Sequence, residues 1–323
     1  MVEYPIWKDF YANLGSDESA IYQIRISGGN EIIYTGKAFK RPGQSMLTVR
    51  INDICADYLE TPFPDINNPF NLLPFPKQFD VDILEDGVFA LADDVLFYND
   101  WSYDRNHDPY VDGLSCPVNG RVSPLTPIPY SLIWTEGLNV IVNGQYTETI
   151  RSDGSGSAGI FMVDVSARKG GDIVKLTHAD VSEREYHVVD SCARYAFYYV
   201  NAYGGVDMLL MEGNYSKVDN LTRHSRQVEY DNRDVSSRGV HNYQNEISKA
   251  MTLHTSWLSD AEAERMHHLL NSTSVYLYDI EKGEMIPVTI TDTTTEYKTY
   301  KGNGGKLVNY AINVVLSQER MRR

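Results

Sequence analysis

Cysteine is scarce in this chain. Cys55, Cys116 and Cys192 are odd in number and widely spaced, so they do not form a disulfide framework and fit free thiols in a reducing compartment. Positive charge is short as well: 29 Lys and Arg stand against 44 Asp and Glu, for a formal net charge of −15. Binding to nucleic acid requires a basic surface that neutralises phosphates, so nucleic acid is not an expected partner. Such a charge suits a soluble, abundant protein or one that meets basic neighbours. Long apolar runs are missing too. No segment approaches the ~20 uninterrupted apolar residues of a membrane helix. Met1-Val2-Glu3-Tyr4-Pro5 shows no basic flank followed by an apolar stretch, so neither a membrane partner nor a secretory signal is expected.

Catalytic signatures are also wanting. No serine sits in a Gly-x-Ser-x-Gly elbow, and no thiol has a partner nearby in sequence. The glycine-rich stretches 152–159 and 302–305 lack the lysine-terminated spacing of a phosphate loop. Acidic residues abound, but no pair is set apart as the two carboxylates of a glycosidase. The expectation is a protein without enzymatic activity, with no catalytic residue and no cofactor. Asp104-Arg105-Asn106-His107-Asp108, followed by Asp112, places oxygen ligands in the alternating manner of a calcium loop. Pro109 stands where such a loop needs Gly, and Ser115 where it needs Glu, so an ordinary solvated loop without metal is the expectation. His267 and His268 are adjacent on a predicted helix and point about 100° apart, which does not let them share one ion.

What the chain has is β-forming sequence: 23 tyrosines, many Val, Ile and Thr, and 42% apolar residues, enough for well-packed cores. The fold class is therefore mainly β, built of β-sandwich domains. Residues 1–78 read as an N-terminal β domain with strands at 21–26, 31–34 and 46–51. Asn52 is placed as the cap of a short helix through 59. Pro62, Pro64, Pro69, Pro74 and Pro76 exclude a regular element and suggest a linker laid over the surface.

Residues 79–185 read as a second, inserted β-sandwich. Strands are expected at 79–84, 88–91, 95–98, 130–134, 138–142, 146–149, 159–165 and 172–177, with Asn143-Gly144 as a hairpin turn and a polar loop over 99–120. The aromatics Trp101, Tyr103 and Tyr110 in that loop would suit stacking on sugar rings, because a flat π face meets axial C–H groups. The alternative is that they pin the loop to its sandwich.

Residues 186–323 form the third section. Strands at 194–200 and 206–211 flank Gly204-Gly205, and the polar, charge-mixed stretch 217–242 reads as a long exposed hairpin or arm. A helix follows. Ser259 and Glu262 make a capping box, and Ala263, Met266, Leu269 and Leu270 share one face, while Glu264, Arg265 and His268 are expected to point elsewhere. A four-stranded meander completes the chain: 275–278, 286–290, 294–300 and 308–316, with turns at 281–283 and 302–305. In the last strand Tyr310 and Ile312 fall on the apolar face and are expected beneath the helix.

The run Arg194-Tyr195-Ala196-Phe197-Tyr198-Tyr199-Val200-Asn201-Ala202-Tyr203-Gly204-Gly205, then Trp257-Leu258-Ser259-Asp260, Val275-Tyr276-Leu277-Tyr278 and Tyr297-Lys298-Thr299, resembles uncharacterised proteins of Bacteroides phages and prophages. That resemblance covers 186–323 and, faintly, 1–60. The order of helix and antiparallel meander resembles the tail-tube and distal-tail fold of long-tailed phages, a β-sandwich flanked by one helix. The resemblance implies a virion structural protein of the tail, hub or baseplate, made in the bacterial host cytoplasm. It further implies a homo-oligomeric ring, with other virion tail proteins as partners and residues 79–185 displayed outward. A carbohydrate-binding β-sandwich protein that recognises a host-surface glycan through Trp101, Tyr103 and Tyr110 is the alternative.

Overall fold

The structure, a computed structural model, describes residues 2–8, 10–13, 22–28, 31–44, 46–59, 61–74, 77–85, 88–133, 137–151, 158–178, 181–190, 192–228, 239–292, 309–317 and 320–322. It is mainly β, with several antiparallel sheets. Among the described residues no helix is long and apolar enough to cross a membrane.

The first section supplies β1 (Val2–Pro5), β2 (Phe10–Asn13), β3 (Tyr22–Gly28), β4 (Glu31–Ala38), β5 (Met46–Val49) and helix α1 (Asn52–Ala56). It continues with β6 (Phe70–Leu72), β7 (Lys77–Glu85) and β8 (Val88–Tyr98). Five of these strands form a sheet in the order β1-β8-β7-β3-β4, in which only β1 runs parallel to its neighbour. Tyr22, Ile24 and Ile26 alternate inward along β3, as a half-buried strand requires.

Several expectations for this section are corrected. Ile51, not Asn52, holds the N-cap position of α1 and makes no side-chain cap. Asn52 lies inside the helix because its amide donates instead to the Ile6 carbonyl and, at 2.8 Å, to that of Lys8. That long-range use ties α1 to the end of β1. The proline-rich stretch is not a surface linker. Pro69 and Pro74 bracket β6, Leu73 is buried, and Phe63 stacks on Tyr276 with centroids 3.9 Å apart. The two strands expected at 88–91 and 95–98 are one, with Asp93 and Asp94 paired to Val81 and Asp80.

The middle section holds β9 (Gly120–Val122), β10 (Ile128–Leu132), β11 (Gly137–Val142), β12 (Gln145–Arg151), β13 (Gly159–Val163), β14 (Ile173–His178) and β15 (Val181–Val188). They make one sheet in the order β12-β11-β14-β15-β9 and a smaller one, β10-β13-β6. Asn143 (φ +50°) and Gly144 (φ +78°) form the β11–β12 turn, since both central residues of a tight type I′ hairpin need positive φ. β10 and β13 are buried along their whole length, and a single hydrophobic cluster runs from Ile6 through this section to Ile280. The expected boundaries at 78/79 and 185/186 fall inside β7 and β15.

The last section contains β16 (Tyr195–Val200), β17 (Val206–Met211), β18 (Tyr215–Gln227), β19 (Val240–His254) and helix α2 (Asp260–Leu270). β20 (Val275–Asp279), β21 (Glu284–Ile290), β22 (Ala311–Leu316) and β23 (Arg320–Arg322) follow. The sheet order is β17-β16-β20-β21-β22-β19-β18, with β23 on the outer part of β19. The strand expected at 294–300 and the turn at 302–305 lie outside the described residues. The capping box is present: the Ser259 hydroxyl accepts from the Glu262 N–H, and the Glu262 carboxylate accepts from the Ser259 N–H at 2.8 Å.

Met266 and Leu269 of α2 cluster with Phe197, Leu277, Ile312 and Val314, and Tyr310 packs half-buried against them, so the expected register of the last strand holds. β16 is apolar throughout because both of its faces are covered. Tyr195, Phe197 and Tyr199 turn to α2, while Ala196 and Tyr198 turn to the larger core.

Arg265 is the main departure on α2. It does not point away from the core but lies within it, 2% exposed. Its guanidinium donates to the carbonyls of Val118 and Met208 (3.3 Å) and to the Tyr186 hydroxyl (3.4 Å), and sits 5.2 Å from the Tyr186 ring centroid. Burial works against its charge, and Tyr186 and the buried Asp207 outweigh that, so its pKa stands above the usual arginine value. The space exists because position 120 is glycine: a Cβ there would lie 2.6 Å from an Arg265 nitrogen.

Arg265→Ala is expected to cost about 3–5 kcal/mol in urea unfolding, since it strips a buried network of its donors. Gly120→Ala should cost about 1–3 kcal/mol alone and less in the Arg265→Ala background, where the 3.1 Å approach of the Tyr186 ring remains, a coupling that a double-mutant cycle reads directly. On β22, Ile312→Ala should lose about 2–5 kcal/mol and Ala311→Ser, on the exposed face, less than about 0.5. Equal losses at 311 and 312 would overturn the register.

Candidate functional site

The loop between β8 and β9 is fastened to the turn between β16 and β17. Asn201 organises that turn: its side-chain oxygen accepts from the N–H groups of Tyr203 (2.9 Å) and Gly205 (3.1 Å). Its amide donates to the Leu114 carbonyl (2.8 Å) and the Asp207 carboxylate (2.7 Å). Gly204 has φ +85°, and a Cβ there would lie 2.3 Å from the Asn99 carbonyl oxygen, so only glycine fits. Trp101 is held at both ends. Its backbone N–H donates to the Ala202 carbonyl at 2.6 Å and its indole N–H to the Asn99 side chain at 2.9 Å.

Facing this loop is the C-terminal end of α2, and between them lies a cleft of about 820 Å³. Trp101, Tyr103 and Asp104 form one wall, and His267, His268 and the 271–273 segment the other. Tyr203, 6% exposed, is among the lining residues and stacks toward His268 with centroids 5.3 Å apart. The Ala202 N–H donates to Nδ1 of His268 at 3.3 Å, which puts that ring's proton on Nε2.

The three aromatics singled out from the sequence part company here. Trp101 (37% exposed) and Tyr103 (66% exposed) line the cleft. Tyr110 does not; it packs half-buried against the main core and fixes the loop. Tyr103 carries φ +57°, a left-handed conformation that costs a non-glycine residue about 1 kcal/mol or more and marks a site held in place by its surroundings. Tyr203 was not singled out as a site residue, because in sequence it closes an aromatic strand and reads as core.

The loop's carboxylates are spent on its own backbone. Asp104 accepts from the Asn106 N–H, Asp108 from that of Tyr110, and Asp112 from that of Asp108, each near 2.9–3.0 Å. Among the described residues no group of three His, Cys, Asp or Glu could hold a metal ion. None of the three cysteines forms a disulfide, and burial pushes the Cys55 thiol up to about 12, which leaves it unreactive.

A second feature stands away from the cleft. β18 and β19 pair through 13 residues of β18, while the pairing of β19 with β22 ends at Ala250, opposite Val218. Beyond that rung Asp219–Gln227 run on for roughly 30 Å, with β23 touching only Asn245–Ile247. Nearly all of β18 is exposed, including Tyr215, Val218 and Leu221, and Val240 and Tyr243 of β19 are exposed opposite. The arm expected at 217–242 is thus present, with its 229–238 tip outside the described residues.

No family model matches this chain, and neither does any curated protein. The two sites therefore speak through geometry alone. The cleft offers aromatic rings with neutral and acidic polar groups, and the arm offers a two-sided exposed ribbon.

Beneath the cleft, His107 is sandwiched between acceptors: Nδ1 lies 3.3 Å from the Asp100 carboxylate and Nε2 3.0 Å from the Gly113 carbonyl, and its ring stacks 4.3 Å from that of Tyr203. Burial disfavours the imidazolium, but the hydrogen bond and charge of Asp100, with the Gly113 carbonyl and Asp112, outweigh it and raise the pKa above 6.5. The raised value means that this group's stabilisation is complete below the unfolded pKa of about 6.5 and is lost as pH rises through the folded value. Thermal melts across neutral pH should show that loss in the wild type and a flatter profile in His107→Gln. An identical pH profile for the two would remove the assignment.

Proposed function

We propose that this protein is a non-enzymatic, ring-forming structural protein of a phage tail, hub or baseplate, in which the β18–β19 arm of one copy lies along the next. The observation that carries the reading is the arm itself. A two-stranded ribbon is marginal in water on its own, and this one holds Val218, Leu221, Val240 and Tyr243 exposed. Each buried apolar Å² is worth about 25 cal/mol, so a partner surface recovers what solvent withholds.

Charge favours a second copy as that partner. Within 215–254, six Lys or Arg outnumber five Asp or Glu, on a chain whose net charge is −15. A near-neutral, slightly basic arm meets an acidic body, and a head-to-tail contact of this type closes into a ring when its rotation closes. The helix-and-meander resemblance noted from the sequence supports a tail protein, and on this reading the ring belongs to the virion among other tail proteins.

Purified protein should sediment well above its 36.7 kDa monomer mass and show annular particles in negative stain. The pair Val218→Glu and Leu221→Glu, one on each face of the ribbon, should give monomers with an unchanged melting temperature. A wild type that stays monomeric at all concentrations, or rings that survive the double substitution, would overturn the proposal.

A further inference from the structure

We infer that the cleft between Trp101, Tyr103 and the end of α2 binds a neutral carbohydrate chain. The inference goes beyond the assembly reading and does not depend on it, since the cleft lies apart from the arm. Its exposed surfaces are aromatic: Trp101 and Tyr103 line it and are 37% and 66% exposed, and sugar rings place apolar C–H faces on aromatic rings while their hydroxyls stay outward. The polar lining is neutral or acidic, with Asn271, Ser272 and Thr273 on one side and Asp104 on the other. No Lys or Arg is among the described lining residues, so a phosphate, a sulfated glycan or a sialic acid would meet a carboxylate without a permanent counter-charge. Hydroxyls, which both donate and accept, suit the amide, hydroxyl, imidazole and carboxylate groups present. At about 820 Å³ the cleft takes more than one sugar ring.

Preorganisation separates this site from aromatics that merely pin a loop. Trp101 is fixed by its bonds to Ala202 and Asn99, and the residues next to it brace one another. The Ser102 N–H donates to Asp100 at 2.7 Å, and the Asp104 N–H to the Ser102 hydroxyl at 3.2 Å. Between those braces Tyr103 is held at φ +57°, 66% exposed, with one ring neighbour, Trp7, at a centroid distance of 6.0 Å. A tyrosine whose main part was to anchor the loop would be covered at least as far as the half-buried Tyr110. Backbone strain spent on an exposed ring is repaid by what the ring contacts.

The test uses the full chain with soluble xylan, mannan, β-glucan and starch, and heparin as the anionic control, read by tryptophan fluorescence and calorimetry. At least one neutral polymer should bind and heparin should not. Trp101→Ala should weaken that binding by about tenfold or more, and Trp101→Phe should restore most of it. Tyr103→Gly is the decisive variant, because glycine accepts the positive φ: affinity should fall while the melting temperature holds or rises. Tyr110→Ala should leave affinity unchanged. Repeating the titration on the Val218→Glu, Leu221→Glu variant separates the cleft from assembly, since binding should persist in monomers. The inference is overturned if none of the neutral polymers binds, if Trp101→Ala binds as well as the wild type, if heparin alone binds, or if Tyr103→Gly lowers the melting temperature and leaves affinity intact.

Discussion

A charged side chain in the interior of the protein couples its sections. Arg265 leaves α2, passes Gly120, and ends among the carbonyls of Val118 and Met208 and the ring of Tyr186. A guanidinium removed from water must keep its hydrogen bonds or cost several kcal/mol, so its partners are fixed in place by its needs. Those partners belong to the loop before β9, to β15 and to β17. The Tyr199 hydroxyl, from β16, donates to the Arg265 carbonyl at 3.0 Å and closes the arrangement. The orientation of α2 against the middle section follows from these bonds, and the position of the cleft follows from the orientation of α2.

The turn at 201–205 plays a similar part at shorter range. Asn201 satisfies two backbone donors with its oxygen and reaches the loop with its amide, and through Asp207 the same network holds the Cys116 N–H. The bonds from Asn201 and Cys116 fall on one Asp207 oxygen, and the other carboxylate oxygen, also buried, has no hydrogen-bond partner among the described residues. Here the reward is positional. The loop carrying Trp101 and Tyr103 has no regular secondary structure, yet it is hydrogen-bonded near both ends, at Trp101 and Leu114, to a turn that cannot shift without losing several buried hydrogen bonds.

The cleft and the arm differ in how they are built. The cleft is polar and braced by hydrogen bonds, with a left-handed backbone at one exposed tyrosine. The arm is a long ribbon that buries little of itself and leaves apolar side chains in water. A site built to be ready before its ligand arrives requires the first arrangement. A surface that is completed by its neighbour tolerates the second, because the missing burial is supplied on association.

Local chemistry was legible in the sequence wherever a residue's role is decided by its neighbours in the chain. The Ser259–Glu262 capping box, the Asn143-Gly144 turn, the exposed β18–β19 arm and the faces of β22 follow from periods and turn residues, which act over a few positions. The roles of Asn52, Arg265, the proline-rich stretch and Tyr203 are not legible there, for the opposite reason. Asn52 looks like a cap until its amide finds Ile6 and Lys8, 46 and 44 residues away. Arg265 looks solvated because its partners are remote in the chain, and the glycine that admits it stands 145 positions earlier. β6 escaped notice since a three-residue strand between prolines has no period of its own and is defined by its pairing with β13. The loop aromatics were visible as candidates, but composition does not say which ones face solvent. Packing settled that Trp101 and Tyr103 line a cleft while Tyr110 holds the loop, because burial is a property of the assembled surfaces and not of any one segment.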